Sequence, residues 1–298
     1  MSTAVEARRQ FAPPVPDGRY SLADLVRSEW TKLRSLRSTR WSSVLVVVLG
    51  VGIGILATAE SRANWQHVTH AGFDPTQTSL IGILGVQLVI GVLGVLVVTG
   101  EYGTGTIRAT FSAAPRRPLV LVAKTAVFLG AAVVLSEAVA FASFFIGQAL
   151  LTAPAVHATL STPGALRAVV GSGLYVCAIG LLGLGLGVIV RHTAGAIGAF
   201  VGVLLIFPII VAAMPQSIIN AVRRYEPLQM GHTMITVSAV GSAAKHVIKT
   251  FGPHVHHEIV KVGGGPATFS PWVGFGILCG YAVAVLAIGT VLLVRRDA

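Results

Sequence analysis

Charge is scarce in this sequence. Only 11% of its 298 residues are Asp, Glu, Lys or Arg, against about 25% in a soluble globular domain. Hydrophobic residues make up 54% of the chain, the mean hydropathy is +0.79, and several apolar runs exceed the ~18 residues that read as a bilayer span. A soluble enzyme core and a disordered chain are excluded together, and the spans leave no room for a soluble catalytic domain. Cysteine is nearly absent too: Cys177 and Cys279 each lie inside an apolar run, which argues against a disulfide framework or a metal cluster and for packing roles. No cleavable leader is expected, because the N-terminal region carries Arg8, Arg9, Pro13, Pro14 and Pro16 in place of a short apolar stretch. A G-x-x-x-x-G-K-[ST] phosphate loop is missing, so the chain is not expected to hydrolyse ATP alone. No Ser/His, paired-Asp or H-E-x-x-H constellation falls within the apolar runs, which ranks an intramembrane enzyme low.

Six apolar runs are present: Trp41 to Ala59, Leu80 to Gly100, Leu119 to Leu151, Ala168 to Val190, Ala194 to Met214 and Pro271 to Val294. Only helices satisfy every backbone polar group in lipid over such lengths, so the expected fold is all-α, with six transmembrane helices. The third run is too long for one upright span at 1.5 Å rise per residue, so its start, with Lys124, is expected to project into the cytoplasm. The charge excess supports this topology. With the N-terminus inside, fifteen of the 22 Lys and Arg fall on the inner side and seven on the outer, five of them in one long loop. By the positive-inside rule both termini are then cytoplasmic, and the formal charge of +11 reflects membrane topology before nucleic acid.

Outside the spans, residues 1–20 read as a disordered cytoplasmic tail. Residues 21–40 read as an amphipathic interfacial helix: Leu22, Leu25, Val26, Trp30 and Leu33 share a face, and Ser21 with Asp24 has the spacing of a capping box. Trp30 would dip into the acyl boundary while Lys32 and Arg34 meet anionic headgroups. The remainder, 41–298, holds two further segments. Glu101 to Pro118 reads EYGTGTIRATFSAAPRRP: Gly103 and Gly105 allow a turn out of the second span, Thr104 or Thr106 can cap a short helix, and Pro115 and Pro118 stop it. Ile107, Phe111 and Ala114 fall on one face, an apolar edge able to dock in a groove of another protein. Residues 215–270 form an outer segment far longer than an ordinary connection. Its stretches Gln216 to Val222 and Met234 to Val247 are apolar enough for short helices that either dip into the outer leaflet or cover the outer mouth of a cavity.

The segments SEWTKLRSLRSTRW (Ser28 to Trp41) and GEYGTGTIRATFSAAPRRP (Gly100 to Pro118) resemble those of permease subunits of ABC-2 type ATP-binding cassette transporters from high-GC bacteria. The six-span plan, with its longest outer loop before the last span, is similar as well. The resemblance implies an ABC-2, or type V exporter-like, fold with a cytoplasmic coupling helix between the second and third spans. Glu101, Thr106, Ile107, Arg108, Phe111, Pro115 and Arg116 become the expected ATPase-coupling surface, and Trp30, Lys32 and Arg34 mark the interfacial helix. It also implies a complex of two ATP-binding subunits and two permeases, the second permease being a copy of this chain or a different one. ATP and Mg²⁺ would sit on the partner, with no cofactor on this chain, in the bacterial plasma membrane.

Within the spans, Glu137 is costly, about 2.5–3.5 kcal/mol on insertion scales. It reads either as a polar point of the substrate path or as a neutral acid bonded to a neighbouring helix. Gln87 is a weaker candidate for the path, and Gln148 weaker again; interhelical hydrogen bonding suits both. The pairs Gly50 and Gly54, Gly183 and Gly187, and Gly198 and Gly202 are small-x-x-x-small motifs that permit close helix approach. His254, His256 and His257 with Glu258 form PHVHHE in the outer loop, but the spacing fits no zinc motif, and no metal is assigned.

The functional expectation is a permease subunit, an exporter, driven by ATP hydrolysis on a separate subunit. A gradient-driven secondary transporter is the first rival, and it would need more embedded ionisable groups than Glu137 and a repeat with broken helices. A non-transporting sensor or assembly subunit of the same fold is the second.

Overall fold

The computed structural model describes residues 21–67, 73–107, 117–152, 155–237 and 268–296. Among these residues every regular element is helical. The chain opens with α1 (Leu22–Ser35), started by the expected capping box: the Ser21 hydroxyl accepts from the Ala23 N–H and the Ser21 N–H donates to Asp24. The interfacial helix ends at Ser35 and not at Arg40. Leu36 is extended, so the chain turns there, and residues 37–40 form the first turn of the first span, α2 (Arg37–Ala63).

Six helices are long and apolar enough to cross a membrane, at the six places the sequence indicates. The second is composite: α3 (Pro75–Leu80), capped by Asp74, is followed across Ile81 and Gly82 by α4 (Ile83–Thr104). The third is α5 (Arg117–Leu150) and the fourth α6 (Ala165–Val190). The fifth runs from α7 (Thr193–Val201) through a π-turn at Gly202–Ile206 into α8 (Phe207–Ala212). Pro208 accounts for that wide turn, since proline lacks an N–H and crowds the carbonyl four residues back in a regular helix. Two short helices, α9 (Gln216–Val222) and α10 (Pro227–Ile235), precede the sixth span, α11 (Pro271–Arg296).

The fourth span is the centre of the bundle and the most buried. Its glycines explain how α4 lies so close. A Cβ on Gly183 would collide with the Gly91 carbonyl, and one on Gly94 with the Gly180 carbonyl, so the two backbones touch with no side chain between them. Gly50 makes room on α2 for the Val139 side chain of α5, and the Ser143 hydroxyl donates to the Gly50 carbonyl at 2.9 Å. Gly54 abuts the Ser79 carbonyl, whereas Gly198 and Gly202 face open space. Two of the three glycine motifs are thus helix contacts.

At the end of the bundle opposite α1, α9 occupies the expected stretch Gln216–Val222. A further helix, α10, is started by Pro227 and ends where Thr236 leaves helical geometry; of the expected stretch 234–247, residues 238–247 lie outside the described residues. Met230, Met234 and Ile235 of α10 are buried, and Gly231 packs on the Tyr175 ring, so α10 caps that end of the bundle.

Candidate functional site

Four charged side chains are gathered at one end of the bundle. α1 lies across the start of α5 and the end of α4, and brings Glu29 and Lys32 to Glu101 and Lys124. The Lys124 ammonium donates to Glu29 Oε2 at 2.5 Å and to Glu101 Oε1 at 2.9 Å. The Lys32 ammonium donates to Glu29 Oε1 at 2.7 Å and to Glu101 Oε1 at 3.1 Å. Glu29 and Lys124 are 5% and 6% exposed, Glu101 is 13% and Lys32 41% exposed. Two carboxylates and two ammoniums alternate, so each buried charge meets opposite charges, the condition under which such burial is tolerated. Burial alone would depress the Lys32 ammonium, but the hydrogen bond to Glu29 and the charge of Glu101 outweigh it and hold its pKa above the usual value.

This arrangement adds to the expectation. Lys124, at the start of the third span, is covered by α1 and paired with Glu29 and Glu101. Lys32, still 41% exposed, pairs with the same two carboxylates, while Trp30 and Arg34 stay exposed. Glu29 is the member that the sequence reading does not single out. Its signal was present: Leu25, Glu29 and Leu33 follow one another at intervals of four, so an acid sits in the middle of the apolar face and asks for a partner.

Glu101 lies in the last turn of α4, so the exit from the second span is itself part of the cluster. Gly103 remains helical, and the turn falls on Gly105 alone, in the left-handed region at φ 72° that glycine tolerates best. Helical geometry resumes at Thr106 and Ile107, and Thr106 and Thr104 share a hydroxyl contact of 2.9 Å. Arg108, Phe111, Pro115 and Arg116 lie outside the described residues, as do His254, His256 and His257.

Inside the membrane, Gln87 is 1% exposed, accepts from the Tyr175 hydroxyl and donates to the Leu84 carbonyl at 2.9 Å. It joins α4 to α6. Gln148 likewise joins α5 to α3, donating to the Pro75 carbonyl and the Ser79 hydroxyl and accepting from the Ala158 N–H. Glu137 is different: neither carboxyl oxygen has a hydrogen-bond partner among the described residues, and the group rests on Gly173, where a Cβ would come within 2.5 Å of it. Among the described residues no group of His, Cys, Asp or Glu could hold a metal ion, and both cysteines are free thiols.

The cap formed by α10 is fastened by polar contacts. Asp74 accepts from the N–H groups of Thr76 and Gln77 and, at 2.6 Å, from that of Val237 just after α10. Burial pushes the Asp74 carboxyl up against the pull of these N–H groups. Arg167 donates to the carbonyls of Met234 and Thr236 at 3.2 and 2.8 Å, and His232 Nε2 meets Gln77 Nε2 at 3.0 Å.

No curated protein matches the chain. The family model described as ABC-2 family transporter protein matches residues 24–298.

Proposed function

The chain belongs to the ABC-2 family of transporter proteins, and from that premise we propose that this membrane permease subunit is an exporter. It works with two copies of a separate ATP-binding subunit, which hold ATP and Mg²⁺, and with a second permease subunit across the substrate path. The end that carries α1 faces the cytoplasm of a bacterial cell, as do both termini. The segment 101–118 receives the ATPase, with Glu101, Thr106, Ile107, Arg108, Phe111, Pro115 and Arg116 as its coupling residues. Gln87 and Glu137 mark the substrate path through the spans.

The observation that carries this reading is the buried cluster of Glu29, Lys32, Glu101 and Lys124. Segment 101–118 leaves the bundle directly from Glu101, and Glu101 is bonded to both lysines. Separating a buried ion pair costs about 3–5 kcal/mol when one partner is left bare. A push on the segment therefore moves α1, the end of α4 and the start of α5 together, which is what conversion of nucleotide-driven closure into helix displacement requires. ATP shifts the inward- and outward-facing populations only as far as its differential affinity for the two states allows.

The test is purification of the chain with its partners in mild detergent, followed by ATPase and transport assays of Phe111→Ala and of an Arg108/Phe111 double substitution. The expected result is a co-purifying subunit with a phosphate loop, ATP hydrolysis no longer coupled to transport in Phe111→Ala, and loss of the partner in the double variant. Unchanged transport by a correctly assembled Phe111→Ala complex would remove 101–118 from the coupling role.

A further inference from the structure

The elbow between α1 and α2 leaves an apolar slot of about 500 Å³ against α4 and α5. Leu93 and Phe128 wall it, and its floor is small, formed by Gly130, Ala132 and Ala138 of α5. From Phe128 to Ala138 a helix advances about 15 Å, so the slot runs along the span. Val134 on its edge is 72% exposed, which leaves the slot open sideways to the bilayer. Its volume is several times that of the ~150 Å³ apolar cavities that take in benzene.

Trp30 of α1 stands at the end where α5 starts. It lines the slot and is 49% exposed, the setting of an interfacial aromatic. Arg27 and Arg34 lie three residues before it and four after it, so the three share one face of the helix. Both arginines are exposed, and among the described residues neither forms an ion pair. The acids of the same helix are engaged elsewhere, Asp24 in the capping box and Glu29 by Lys32 and Lys124. Arg37 and Arg40, in the first turn of α2, are exposed as well. The ion cluster is neutral, but the surface around Trp30 carries an excess of positive charge.

We infer that the elbow is a binding site for an anionic phospholipid from the leaflet at this end, its phosphate held by Arg27 and Arg34 and one acyl chain laid in the slot along α5. A guanidinium offers a planar fork of donors that matches a phosphate, and Trp30 fills the step between headgroup and chain. Choline and ethanolamine lipids carry the same phosphate, but their own cation offsets its charge and meets the arginines with like sign. A glycerol headgroup brings no such cation. Any basic interfacial helix attracts anionic lipid, and the slot adds a chain contact that a lipid merely adsorbed on the surface does not make. Retention therefore depends on two separable features, the arginine pair and the empty volume.

The experiment is native mass spectrometry of the full chain, released from bilayers with equal parts of phosphatidylglycerol, phosphatidylethanolamine and phosphatidylcholine. Wild type should retain phosphatidylglycerol over each of the others by about tenfold, the scale set by two arginines near an anionic headgroup. Arg27→Gln combined with Arg34→Gln should bring the three lipids near parity. Gly130→Leu enters the slot from a position where a Cβ meets nothing within 4 Å, and Ala138→Leu fills it further along α5. Each should lower the bound phosphatidylglycerol severalfold although both arginines remain. Equal retention of the three lipids by wild type, or a preference that survives loss of both arginines, would overturn the site. Unchanged occupancy in both filled variants would overturn it too, leaving lipid adsorbed on a basic surface. A lipid-free dimer that Gly130→Leu dissociates would equally overturn it and give the slot to a second copy of the chain. A further readout needs no variant: added phosphatidylglycerol should raise the melting temperature of wild type in detergent more than phosphatidylcholine does, and equal shifts would count against the site.

Discussion

Lys124 and Glu29 stand 95 residues apart in sequence and 2.5 Å apart in space. The contact joins the helix that precedes the first span to the start of the third, and both side chains are nearly inaccessible. Each exists in its charged form inside the bundle because the other is there.

Removing the lysine leaves Glu29 and Glu101 buried with reduced compensation. Lys124→Met should destabilise the chain by about 3–5 kcal/mol, read as a loss of thermal stability in detergent. Adding Glu29→Gln to it should recover part of that loss, since the second change removes a buried charge. A Lys124→Met chain that melts like wild type would show that the cluster contributes little.

The contact of α4 with α6 depends on absent side chains. Gly183→Val would drive its side chain into the Gly91 carbonyl, and because the obstacle is backbone, the cost should exceed the ~1–3 kcal/mol of ordinary overpacking. Gly198→Ala, which meets nothing within 4 Å, should be tolerated and gives the matched control. Comparable melting curves for the two variants would contradict the helix contact.

Tyr175→Phe removes the donor to Gln87. Interhelical hydrogen bonds in membranes average about 0.6 kcal/mol and reach about 1.7, so the expected loss is a fraction of that for Lys124→Met. Transport should persist if Gln87 serves only to join the helices, and a transport defect out of proportion to the stability change would place Gln87 in the path.

The cap formed by α10 should loosen in acid. Burial depresses the His232 imidazole below its ordinary value of 6.5, and the nearby charge of Arg223 adds to the effect. With α10 docked the ring resists protonation, and with α10 released it accepts a proton near the ordinary value. The docked state therefore loses stability as the outer pH falls through about 6.5. Hydrogen-exchange protection in residues 227–235, taken relative to the intrinsic rate at each pH, should fall from pH 7.5 to pH 5.5, and His232→Gln should abolish that fall.

The six spans were legible because runs of apolar residues in lipid admit few conformations, and the sequence edges fell within a few residues of the helices. The capping box at Ser21 was legible for a local reason, as both partners sit within one turn. The cluster was not. Glu101, Lys32 and Lys124 each stand out in the sequence, but in separate roles, as part of the coupling surface, as a headgroup contact and as the cytoplasmic start of the third span. Their pairing depends on how α1 lies across the bundle, which is set by the turn at Leu36, a residue with no helix-breaking chemistry. Likewise Pro227 and Thr236, not hydrophobicity, fix the limits of α10, so an apolar window does not mark it.

The balance of charge in the cluster has an electrical consequence. Transmembrane voltage does about 2.3 kcal/mol of work per elementary charge per 100 mV. Glu29, Glu101, Lys32 and Lys124 travel as two negative and two positive charges, so a common displacement of these four groups moves no net charge through the field. The cluster itself gives a membrane potential no handle, and loss of Lys124 would leave its three remaining groups with one net negative charge for the voltage to act on.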